Sequence, residues 1–121
     1  TVPEKDMANL KQLANSLEDI RSLVGAPLVI SSGYRSPELN RAIGGSTSSA
    51  HSYGLAADIH TPAMSCKDLA QLIVNSKIPF DQVIYEIDWV HFGLSRGKNR
   101  YEVLTAIFIP GKRTRYTYGI K

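Results

Sequence analysis

Leu55-Ala56-Ala57-Asp58-Ile59-His60 reads as a strand entering a core, and its two faces differ in kind. Side chains at i and i+2 of a strand share a face. Leu55, Ala57 and Ile59 therefore point into one layer, while Ala56, Asp58 and His60 point the other way. Just upstream, Gly45-Ser46-Thr47-Ser48-Ser49 reads as a loop that leads directly to His51, which can fold over the strand's end. A second stretch, Trp89-Val90-His91-Phe92-Gly93, has the same two-faced character. Trp89, His91 and Gly93 share one face, and Val90 and Phe92 take the other.

The rest of the chain supplies the layers around these strands. Met7, Leu10, Leu13, Leu17, Ile20 and Val24 recur at helical spacing, with Pro3 suited to the first turn and Gly25 to the exit. A helix is predicted from Pro3 to Val24. Leu28 to Ser31 follows as a short strand and Gly33 as its turn. Ser36-Pro37-Glu38-Leu39 starts a short helix that Gly44-Gly45 ends. Ser65-Cys66-Lys67-Asp68 resembles a capping box for a helix buried through Leu69, Leu72 and Ile73. Gln82 to Ile87 and Trp89 to Leu94 read as a hairpin turning near Asp88, with further strands at Glu102 to Ile109 and Arg115 to Ile120. The predicted class is α+β, with helices packed on one side of a mainly antiparallel sheet.

The length of 121 residues and 43% apolar content fit one domain, 1–121, with a single core. No apolar run approaches a membrane span, and no charged-then-apolar leader stands at Thr1, so a soluble, membrane-free chain is expected. The lone Cys66 cannot form an internal disulfide. The net charge is a modest +3. Lys112, Arg113, Arg115 and Lys121 cluster between Phe108 and Lys121 with no acid among them. A solvated terminal ribbon accounts for them better than attraction to a polyanion, and no nucleic-acid partner is expected.

His51, Asp58 and His91 are candidate metal ligands. Three N/O ligands with one open position are the usual recipe for a catalytic zinc site. Such a site lowers the pKa of water to about 7 and polarises a carbonyl. A proton acceptor is still needed, and Asp88, three residues ahead of His91, is the first choice, with Glu86 its competitor. Gly54 and the two alanines are small enough to let a ligand's backbone pack closely. His60, like most lone histidines, is expected outside the ligand set. Arg35 fits either a turn or a bidentate hold on a substrate carboxylate.

Three motifs, agreeing in order and spacing, carry a family resemblance. Ser49-x-His51-x-x-Gly54-x-Ala56-x-Asp58 resembles the SxHxxGxAxD signature of the zinc D-alanyl-D-alanine carboxypeptidase family. Ser32-Gly33-Tyr34-Arg35-Ser36 resembles the family's arginine motif, and Asp88-Trp89-Val90-His91 its (E/D)xxH element. Phe80 to Ile84 and Asn99 to Thr105 look like the compact members found in phages and prophages, so the likeness runs from about Leu28 to Ile107. It implies a hedgehog/DD-peptidase-like fold, Zn2+ on His51, Asp58 and His91, and Asp88 as base. Arg35 would stabilise the substrate carbonyl or carboxylate, and Ser49 would line the substrate site. The reaction implied is hydrolysis of a peptidoglycan stem peptide by a carboxypeptidase or murein endopeptidase. The base position holds Asp where several relatives carry Glu, one methylene longer. Such an enzyme is expected as a monomer acting on the cell wall, in the periplasm or outside the cell, including release without a signal peptide if phage-encoded. The implied fold also resembles the hedgehog signalling domain, whose zinc site need not imply hydrolysis. The rival reading is an inactive, zinc-containing cell-wall binding module.

Overall fold

The computed structural model describes residues 4–32, 55–95, 97–112 and 114–121. The short helix expected from Ser36, and with it Arg35, Ser49 and His51, lies outside these residues. Helix α1 spans Glu4–Val24 as its periodicity predicts. It ends at Gly25, whose φ of +74° allows a left-handed exit and whose N–H donates to Arg21 O at 2.9 Å. Leu13 and Ile20 are buried, whereas Met7, at the helix start, stays exposed.

Helix α2 spans Cys66–Val74, and the Ser65 hydroxyl accepts the Asp68 N–H at 3.1 Å as its N-cap. Leu69, Ala70 and Ile73 form its buried face. Leu72, expected on that face, is only half-buried. The i, i+3, i+4, i+7 stripe in so short a helix runs through 66, 69, 70 and 73 and passes Leu72 by.

Among the described residues six strands form one sheet in the order β1-β2-β4-β3-β5-β6: β1 Val29–Ser32, β2 Ala56–His60, β3 Gln82–Tyr85, β4 Val90–Gly93, β5 Glu102–Ile107 and β6 Arg115–Tyr118. Every pairing is antiparallel except β3 with β5. The chain is α+β, with two helices among the described residues packed with a mixed, mostly antiparallel sheet, as the sequence predicts and consistent with a DD-peptidase-like fold. Strand alternation sorts the faces. Leu55, Ala57, Ile59, Val83, Val90, Phe92 and Leu94 join the helix residues Leu13, Ile20, Leu69 and Ile73 in one core. Fully burying a side chain such as Phe92 or Ile59 contributes about 1.5–3 kcal/mol.

Several polar contacts fix the strand ends. Asp81 donates its N–H to Gly93 O at 2.8 Å and accepts the Glu102 N–H at 2.9 Å, joining β4, β3 and β5. Its carboxylate accepts Arg100 N at 2.9 Å, Nε at 3.1 Å and Nη2 at 2.9 Å. On the other flank, the buried Thr105 hydroxyl donates to Gly119 O at 2.8 Å and accepts the Lys121 N–H at 2.9 Å, holding the chain end against β5.

The β3–β4 connection is longer than expected. The strands stop at Tyr85 and resume at Val90, rather than reaching Ile87 and Trp89. Glu86 donates its N–H to Trp89 O at 3.0 Å and accepts the Asp88 N–H at 2.8 Å. This last bond closes a γ-turn on Ile87, whose φ of +67° is a costly conformation for a β-branched residue.

Candidate metal centre

The face of the sheet turned away from α1 and α2 carries the chemistry. In the β2–β4 ladder Asp58 stands directly opposite His91, and in the β3–β4 ladder His91 stands opposite Ile84. Glu86 lies two residues beyond Ile84 and so extends the same face. His91 Nδ1 and Asp58 Oδ1 are 3.2 Å apart, with side chains 15% and 17% exposed. Donor atoms of Asp58, Glu86 and His91 all lie within 4.8 Å of one another.

This donor set fits zinc. Ligand bonds of about 2.0–2.1 Å in a tetrahedron place donor atoms about 3.3 Å apart, close to the separation of the Asp58 and His91 atoms. Carboxylate and imidazole are also the N/O chemistry that zinc accepts. These two candidate ligands rest on adjacent, paired strands, so the ladder sets the separation of their backbones.

The surroundings hold these groups in place. Trp89 Nε1 donates to Glu86 Oε2 at 2.9 Å, orienting the carboxylate from the same turn that carries it. Gly93 leaves room for the His91 ring, because a Cβ there would stand 3.3 Å from His91 Nε2. Sequence reasoning put Gly93 on the His91 face without assigning it a role. The signal was its i+2 spacing from a candidate ligand.

The remaining predicted residues divide clearly. Asp58 and His91 come together. Asp88 is exposed and outside the group of three. Its charge is felt instead at Cys66, at the start of α2, where burial first and Asp88 second push the thiol pKa up. His60 lies on the Asp58 face, outside the group, and its buried Nδ1 has no hydrogen-bond partner among the described residues. His51, Arg35 and Ser49 fall outside the described residues.

Residues 2–93, well over half of the chain, match the family model described as Peptidase M15. The chain belongs to the peptidase M15 family. It is thus a member of a zinc-dependent metallopeptidase family, the one its SxHxxGxAxD motif resembles. No curated protein matches this M15 chain significantly. The match ends at Gly93, so it covers β1 to β4 and all three grouped residues, while β5 and β6 lie beyond it. Among the described residues no helix is long and apolar enough to cross a membrane.

Proposed function

We propose that this M15 chain is a single-domain, monomeric zinc peptidase that hydrolyses peptidoglycan stem peptides. It would act at the cell wall as a D-Ala-D-Ala carboxypeptidase or murein endopeptidase. The observation that carries the reading is the facing Asp58–His91 pair, with Glu86 beside it, inside the segment matching the M15 family. His51, Asp58 and His91 would hold the zinc. The metal supplies the positive charge that polarises the scissile carbonyl and makes water acidic enough to attack at neutral pH.

The chain's own groups handle the protons. A carboxylate takes a proton from water as its oxygen bonds to the carbonyl carbon. It returns that proton to the amine as the C–N bond breaks. Glu86 is favoured for this role because it stands in the group, within a hydrogen bond of Trp89. Asp88, the expectation from (E/D)xxH spacing, remains the alternative. Arg35 would hold the substrate carbonyl or carboxylate, and Ser49 would line the same site.

The test is mass spectrometry of products from defined muropeptides, with and without a chelator. Cleavage that stops on chelation and returns with zinc is expected, and the products identify the bond cut. A zinc-loaded protein that binds sacculi but cleaves no stem peptide, D,D or L,D, would mean a binding module instead.

A further inference from the structure

The open face continues past the metal group onto strands that the family match does not cover. The last β3–β5 pair is Tyr85 with Thr105, and carrying that register one residue on puts Glu86, the first residue after β3, beside Ala106. In the β5–β6 ladder Ala106 stands opposite Tyr116. On the other side, the Glu86 N–H bonds Trp89 O. A row therefore crosses the sheet as Trp89, Glu86, Ala106 and Tyr116, all on the face that bears Asp58 and His91. Neighbouring strands are about 4.8 Å apart, so Tyr116 starts about 10 Å from Glu86 with only a methyl group between them.

Ala106 is 2% exposed although it lies on this face, whereas Tyr116 is 52% exposed. Tyr116 thus stands beside the covered alanine with about half of the residue's surface open. Partial burial first, and the Glu86 charge second, push its pKa above the ordinary tyrosine value. A tyrosine hydroxyl keeps its proton at neutral pH in any case, so this one is available as a donor.

We infer that Tyr116 is a substrate-binding residue, its phenol donating a hydrogen bond to a carbonyl or carboxylate oxygen of the peptide lying beside Glu86. A donor suits this place, because a peptide crossing the sheet between Trp89 and Tyr116 presents oxygens that Glu86, an acceptor, cannot satisfy. The inference rests on the peptidase reading and adds to it a residue from outside the matched segment.

The experiment compares wild type with Tyr116→Phe, using a synthetic stem pentapeptide. Tyr101→Phe serves as the control, because that ring only packs edge-on against Phe80, with centroids 5.0 Å apart. Peptide affinity is measured on zinc-free protein by calorimetry, and KM and kcat on the zinc-loaded protein. Zinc content and thermal midpoint are followed throughout. Tyr116→Phe is expected to weaken peptide binding and raise KM by about tenfold, with zinc content and midpoint at wild-type values. If wild type cleaves and Tyr116→Phe matches it in affinity and KM, the inference is overturned and the peptidase reading stands. A variant that loses zinc or midpoint along with turnover has a structural tyrosine, which also overturns it. If wild type neither binds nor cleaves stem peptides, the peptidase reading falls and takes this inference with it.

Discussion

At the scale of single residues, the β3–β4 turn separates two carboxylates that spacing along the chain cannot rank. Glu86 joins Asp58 and His91, and Asp88 projects its charge toward Cys66. Glu86→Gln should keep zinc and lower turnover by about 10²–10⁴-fold, the usual contribution of a positioned general base. On the Glu86 reading, Asp88→Asn should stay within about twofold of wild type, because Asp88 stands outside the group of three among the described residues. Steady-state kinetics with zinc analysis checks both, and the reverse pattern assigns the base to Asp88. Gly93 acts through His91. Its substitution by alanine puts a methyl group 3.3 Å from Nε2 and forces the ring aside by a few tenths of an ångström. Gly93→Ala should therefore weaken zinc affinity by about tenfold, as loss of ligand support does elsewhere, measured by competition with a chromogenic chelator. Unchanged affinity would mean that the ring has room to give.

At the scale of elements, the start of β3 depends on Asp81. Hydrogen bonds from the Arg100 side chain chiefly hold its carboxyl pKa below the ordinary value, against a smaller opposing effect of burial. Because the folded pKa is depressed, this contribution is complete above the unfolded value of about 3.9. It is lost as pH falls through the folded value. The Arg100 side chain is 60% exposed, so solvent screening limits the gain. Asp81→Asn should destabilise by about 1 kcal/mol at neutral pH. The gap from wild type should close on acidification below about pH 4. Urea unfolding at a series of pH values reads this directly, and a pH-independent gap would refute the ionic account. The elements themselves were largely legible in the chain. Gly25 as helix exit and Ser65 as N-cap act through local chemistry that survives in any context. The facing ends of β3 and β4 fall short of the sequence expectation because the turn at Ile87 adopts a positive φ that a β-branched residue does not advertise.

At the scale of the whole molecule, a two-faced alternation becomes a site only when strands distant in sequence are placed side by side. Leu55, Ala57 and Ile59 facing the core, and Asp58 facing away, follow from a period of two and from apolar burial, and the chain alone dictates them. The same holds for Val90, Phe92 and His91. The α+β class follows as well, because a helical period precedes and interrupts short strands. The family-specific spacing of Ser49, His51, Gly54, Ala56 and Asp58 was also present in the letters. Sequence could not supply register. The pairing of Asp58 with His91 is set by the β2–β4 ladder, and a slip of one residue would put one of them into the core. Nor could it show that β5 joins β3 in parallel, which brings Ala106 and Tyr116 alongside Glu86 from beyond the matched segment. Local sequence thus determined which side chains face away from the core. Tertiary pairing decided which of them meet, because hydrogen-bonded register fixes distances between residues that the chain leaves far apart.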